Sequence, residues 1–181
     1  MKKCFILFFA MLLVGCDMKS EPEFIYVKNG SSFDIEAVYN SKSKIVYKNT
    51  NEVLPLEDVE FITDKVVNVN GIDNKIQVVE INKTEGFHNS TYCKIYTVKD
   101  IYNNAKYEFV IKNMYNAEIT VSYTIFGVQC SEKIPAADDN TAGMLELSFM
   151  YEKPKMTFKY GPNDVGFSKT DNDNRTDILL M

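Results

Sequence analysis

The strongest constraint on this chain is that its second half echoes its first. Phe24-Ile25-Tyr26-Val27-Lys28-Asn29 is followed by Ile35-Glu36-Ala37-Val38-Tyr39. Later, Phe109-Val110-Ile111-Lys112-Asn113 is followed by Ile119-Thr120-Val121-Ser122-Tyr123. Lys28 with Lys112, Asn29 with Asn113, Ile35 with Ile119 and Tyr39 with Tyr123 are all 84 residues apart. The echo continues at a spacing of 80, where Leu54-Pro55 answers Ile134-Pro135, Lys75 answers Lys155 and Gly86-Phe87 answers Gly166-Phe167. A shortening of the polar turn at residues 40–43 in the second copy accounts for the change, since loop tips tolerate deletion.

The repeated unit reads as strands. The chain holds 11 Tyr and 12 Phe with many Val, Ile and Thr, residues that suit a pleated, half-buried surface. Alternation at Val67 and Val69, and at Ile76 and Val78, places apolar side chains on one face. Strands are expected at 24–29, 33–39, 44–48, 59–62, 65–70, 75–81 and 92–98. In the second half they are expected at 107–113, 117–126, 128–130, 145–151, 155–160 and 176–181. Asn29-Gly30, Asn70-Gly71 and Glu152-Lys153-Pro154 are turn signals. The fold class is therefore all-β, with two tandem small antiparallel β-sandwich modules over 24–98 and 107–181, joined by a polar linker at 99–106. Each resembles the small immunoglobulin-like sandwiches of envelope proteins. One larger sandwich or barrel with similar strands is the alternative.

The N-terminus carries a different signal. Lys2 and Lys3 precede an apolar run from Phe5 to Val14, too short to span a bilayer and suited to a cleaved signal peptide. It closes on Leu13-Val14-Gly15-Cys16. These four residues resemble the lipobox of the bacterial lipoprotein class. The resemblance implies cleavage between Gly15 and Cys16, removal of residues 1–15, and acylation of Cys16. Two or three acyl chains hold stably where one holds marginally. Residues 16–23 would then be a tether. The general character is similar to that of small spirochaete-type outer-membrane lipoproteins, which implies the outer membrane. Asp17 is the alternative signal, for retention at the periplasmic face of the inner membrane.

Cleavage deletes two lysines and no acid, leaving 18 basic against 25 acidic residues, a net charge of −7. An acidic surface does not suit nucleic acid or anionic lipid. The membrane contact is therefore expected through acylated Cys16 alone, and any further partner is a protein or a glycan.

The remaining cysteines, Cys93 and Cys130, could form a disulfide or stay as two buried thiols. The rest of the chain lacks a catalytic pattern. His88 is the single histidine and lies in a polar stretch, where it is expected to be an exposed bystander. Asp171, Asp173 and Asp177 alternate as in a calcium loop, but Arg175 stands at a ligand position and the closing Glu is missing, so no metal is assigned. Tyr92, Tyr96, Tyr102, Tyr107 and Tyr115 gather around the linker and would line either a ligand groove or a packed interface between modules. No cofactor is called for. The expected function is a non-enzymatic, lipid-anchored envelope protein with a binding or contact role. A carrier for a small hydrophobic or glycan ligand is the alternative, and an enzyme acting on the cell wall or on glycans comes third.

Overall fold

The computed structural model describes residues 20–139 and 141–181. Leu13-Val14-Gly15-Cys16, read from the sequence as resembling a lipobox, lies outside them. Among the described residues the chain is all-β, without a helix.

The first half builds two sheets. One has β1 (Phe24–Asn29) between β4 (Thr50–Pro55) and β9 (Thr91–Asp100), with β8 (Val79–His88) outside β9. The other has β2 (Ile35–Tyr39) between β3 (Lys42–Val46) and β5 (Val59–Ile62). The inward-facing residues of both sheets meet in one core, with Ile25 and Val27 from β1, Ile35 and Ala37 from β2, Val46, Leu54 and Val98. The alternation read from the sequence is what brings them there, because successive strand residues point to opposite faces.

The second half repeats the wiring. β10 (Lys106–Asn113) lies between β13 (Gly143–Met150) and β17 (Arg175–Leu180), with β16 (Phe167–Asn172) outside β17. β11 (Ile119–Ile125) lies between β12 (Val128–Ile134) and β14 (Met156–Tyr160), and the two-residue β15 (Asn163–Asp164) is added to β14. Ile111, Ile119, Val121, Ile134, Phe158 and Leu180 fill this core. Most pairings are antiparallel. The exceptions are β1 with β9 and β10 with β17, where the first and last strands of each module run parallel. In the immunoglobulin order the first strand shares a sheet with the second; here it lies between the fourth and the last.

The matched Asn-turn segments have a structural purpose that spacing alone does not reveal. Asn29 and Asn113 are both buried at the end of a module's first strand. Asn29 Nδ2 donates to the carbonyls of Phe33 and Val46 at 2.9 and 3.0 Å, and its Oδ1 accepts from Ser31 N. Asn113 Nδ2 donates to the carbonyls of Ala117 and Pro135 at 2.8 and 2.7 Å, and its Oδ1 accepts from Tyr115 N. Each amide thus satisfies a buried turn and staples the second strand's entry to the third strand's exit.

The later part of the echo is corrected. Ile35 pairs with Val46 and Ile119 with Ile134, so Ile134 is the counterpart of Val46, 88 residues on, and not of Leu54. Leu54 belongs to β4 and pairs with β1. The second copy's hairpin is longer than the first's, not shorter. The turn at residues 40–43 therefore lost nothing. Residues 50–55, outside every strand expected from the sequence, form β4, with Pro55 at its edge-strand end. Residues 167–172 also form a strand, against a polar composition that hides it.

The compensating difference is an inserted hairpin. Between β5 and β8 the first half carries β6 (Asp64–Val69) and β7 (Ile72–Gln77), a separate two-stranded sheet. Residues 75–81, one strand by periodicity, divide at Val78 between β7 and β8. Asn70 and Gly71 have φ of 53° and 78°, the left-handed pair that a two-residue hairpin turn requires. The halves are joined by residues 101–105, since β9 runs to Asp100 and β10 starts at Lys106.

Candidate binding groove at the seam

The inserted hairpin does not stay with its own half. Ile76 packs in the first core, whereas Val69 is buried in the second, and Val67 touches both. Asn70 Nδ2 lies 3.2 Å from Cys130 Sγ on β12. The second half reaches back through Phe126 and Tyr151. Phe126 sits at φ 49°, unusual for a bulky side chain, and directs its ring edge-on to Tyr102 with centroids 5.3 Å apart. Glu152 accepts a 2.8 Å hydrogen bond from Phe126 N. Tyr151 packs against Phe33 at 5.4 Å.

Beside this seam runs a groove of about 390 Å³. One wall is residues 66–70, the other residues 147–151, and Tyr123, Ile125 and Phe126 form the floor. Each wall is a run of consecutive residues. Consecutive side chains of a strand point to opposite faces, so a groove touching all of them must follow the strand's edge. Those edges are free, since β6 pairs only with β7 and β13 only with β10 among the described residues. The Val69–Ile72 pair closes the turn by hydrogen bonding. Alternate residues of an antiparallel pair exchange both bonds, so Val66 and Asn68 send their N–H and C=O away from β7.

The groove is neutral. None of its lining residues carries a formal charge. Burial pushes the Tyr123 phenol up to about 12, helped by Cys130 and Glu132 beside it. Tyr123 is therefore a neutral hydroxyl at any physiological pH.

The residues singled out from sequence fall elsewhere. The five tyrosines do not converge on a site. Tyr102 reaches the seam, Tyr96 packs on Phe61 in the first module, and Tyr107 and Tyr115 pack against the second core. Tyr92 lies at the far turn of β8 and β9. Their closeness in sequence fails because β9 and β10 carry them through two different modules. His88 is not in a loop; it ends β8 and stacks on Tyr26 with ring centroids 3.7 Å apart. Cys93 and Cys130 are both free and buried, the second of the two arrangements open to them. Cys93 faces Gly86 in the first module and Cys130 faces Tyr123 in the second, which keeps the thiols in separate sheets. Asp171 is bound by the chain's own groups, Lys153 Nζ at 2.8 Å, Lys169 Nζ at 3.0 Å and Thr176 Oγ1 at 2.6 Å. Asp177 is held by Arg175 at 3.0 Å.

Sequence reading misses the groove because its walls come from β6 and β13, strands that do not pair. The available signal is Asn70-Gly71, which announces a hairpin that the second copy lacks. Compared with protein-family models and with curated proteins, the sequence matches none.

Proposed function

We propose that this chain is a lipid-anchored protein of a bacterial cell envelope that binds an extended segment of a partner protein between its two modules. The anchor is Cys16, supported by the basic start, the short apolar run and Leu13-Val14-Gly15-Cys16. The outer membrane is the proposed site, on the resemblance to small outer-membrane lipoproteins. The binding role is carried by one observation, the two free strand edges that face each other across an uncharged groove.

An added strand supplies what each edge lacks, a ladder of N–H and C=O partners. Four strand residues line each wall, 66–69 of β6 and 147–150 of β13, a length of about 13 Å. The floor of Tyr123, Ile125 and Phe126 suits apolar side chains at alternate positions of the guest. No catalytic step is assigned.

Two measurements test the two parts. Cys16→Ala is expected to abolish labelled-palmitate incorporation and to move the protein from the detergent phase to the aqueous phase; unchanged partition overturns the anchor. Val66→Pro removes an outward-facing N–H at little cost to an edge strand. It is expected to abolish binding of extended, alternately apolar peptides and the slowed amide exchange they produce at Asn68. The apolar floor favours a second reading, a carrier for a small hydrophobic molecule. Such a ligand would bind Val66→Pro as well as the parent, and that result would replace strand addition.

A further inference from the structure

We propose that the turn joining β8 and β9 is a second membrane contact, an aromatic tip that rests on a neutral lipid surface. The inference builds on the lipid anchor and changes one consequence of it, since the acyl chains would no longer be the only attachment.

The duplication supplies an internal control. His88 and Thr91 flank the two-residue turn of β8 and β9; Asn172 and Arg175 flank that of β16 and β17. The positions correspond at the same spacing of 84. One step further out, Phe87 faces Tyr92 in the first module and Asp171 faces Thr176 in the second. The second tip is polar throughout, with Asp171, Asn172, Asp173, Asn174 and Arg175. The first presents Phe87, 69 % exposed, in contact with the Tyr92 ring at 5.3 Å. The turn residues are polar in both modules and the pairing is the same, while the next pair outward is aromatic in one and polar in the other, so the strand architecture does not require an aromatic there.

The position of the tip names its occupant. β1 runs parallel to β9, so the start of β1 lies beside this turn, and Glu23 N donates to Tyr92 O at 3.0 Å. The tether therefore leaves the module at the tip. Cys16 is eight residues before Phe24, a reach of at most about 29 Å. Lipid held by Cys16 is thus never far from Phe87. The other end of β9 is Asp100, whose carboxylate accepts from Ser32 N at the linker end. The tip and the seam are at opposite ends of the first module, about 30 Å apart along a ten-residue strand. An aromatic tip on the bilayer would leave the groove pointing away from it. Glu85 accepts from the Tyr92 hydroxyl at 2.8 Å and Glu23 lies where β1 begins, with Lys94 opposite Glu85, so the tip has no basic excess to hold anionic headgroups and a zwitterionic surface fits. Tethering raises the local lipid concentration enough for a few aromatic groups to matter.

The chain has no Trp, so Phe87→Trp is a single-site reporter. The protein from Cys16 onward, coupled through that thiol to a maleimide lipid in phosphatidylcholine vesicles, reproduces the anchor chemically. Cys93 and Cys130 are buried and stay unmodified. Indole emission from the Phe87→Trp protein is expected to shift to shorter wavelength on coupling and to be quenched by brominated acyl chains. Asn172→Trp, on the polar tip, is expected to show neither change. Adding anionic lipid is expected to weaken the response of the Phe87→Trp protein. Equal emission from that variant with and without vesicles, or equal quenching at both tips, overturns the proposal. Because coupling is chemical, that failure is separate from a failure of acylation, which the palmitate measurement reads.

Discussion

The two modules share a wiring diagram and differ at their ends. Both have a buried Asn corner, one parallel pairing and a core drawn from two small sheets. Only the first carries the inserted hairpin β6–β7, and only the first carries an aromatic turn. The shared features lie where backbone polar groups must be satisfied in the interior. The divergent ones lie at module ends, where a segment can change without disturbing a ladder. In a duplicated protein this contrast separates what the fold needs from what a particular copy has acquired, and both acquisitions point outward from the first module.

The largest test of the shared part is the Asn corner. Asn113→Ala strands the carbonyls of Ala117 and Pro135 and the N–H of Tyr115. Leaving these part-buried groups unpaired is expected to cost about 2 kcal/mol, read by chemical denaturation. Asn29→Ala is expected to cost at least as much, because Asn29 Oδ1 also accepts from Ser31 Oγ at 2.6 Å and its Nδ2 reaches Tyr47 O. A small effect at one corner and a large one at the other would break the equivalence of the modules.

The hairpin supplies the next. Val69 belongs by sequence to the first half and by packing to the second core. Val69→Ala removes two methyl-sized groups from a buried site, an expected loss of about 2 kcal/mol. Amide exchange is expected to rise on β11 and β12, not on β1 and β9. The reverse pattern would mean that the hairpin stabilises only its own half, and that the seam does not bind the modules together.

Much of this architecture is written in local patterns, and the missing parts have identifiable causes. Alternation locates β1, β2, β10 and β11 closely, because each has one face in a core. It fails at β16, whose six residues are all exposed and whose strand state rests on pairing with β17. It fails at β4, where Leu54 is the lone buried residue and Pro55 looks like a terminator. The Leu-Pro and Ile-Pro matches mislead because dipeptide likeness ignores strand partners, and Val46, opposite Ile35 on β2, is the counterpart of Ile134, opposite Ile119 on β11. The groove is beyond local reading altogether. It exists because an insertion in one half settles on the other, and no periodicity within either half records that.

The smallest expected effect concerns the polar tip and sharpens its contrast with the aromatic one. Asp171 occupies the position that Phe87 holds in the first module. Hydrogen bonds from Lys153, Thr176 and Lys169 hold its carboxyl well below the usual carboxylate range. A carboxylate whose folded value is depressed contributes stability above its unfolded value of about 3.9, and loses it as pH falls toward the folded value. The contribution of Asp171 should therefore be constant from neutral pH down to about 5 and then be lost progressively as pH falls toward the folded value. In Asp171→Asn that contribution is absent, so the acid limb is shallower while stability at pH 7 is slightly lower. The site is solvent-exposed, and added salt should screen the effect. Thermal melts from about pH 7 to about pH 2 at low and high salt read both. If Asp171→Asn reproduces the parent's acid limb, the lysines do not hold the carboxylate in solution. The polar tip would then be only a solvated turn, and the difference between the tips would rest on the aromatic one alone.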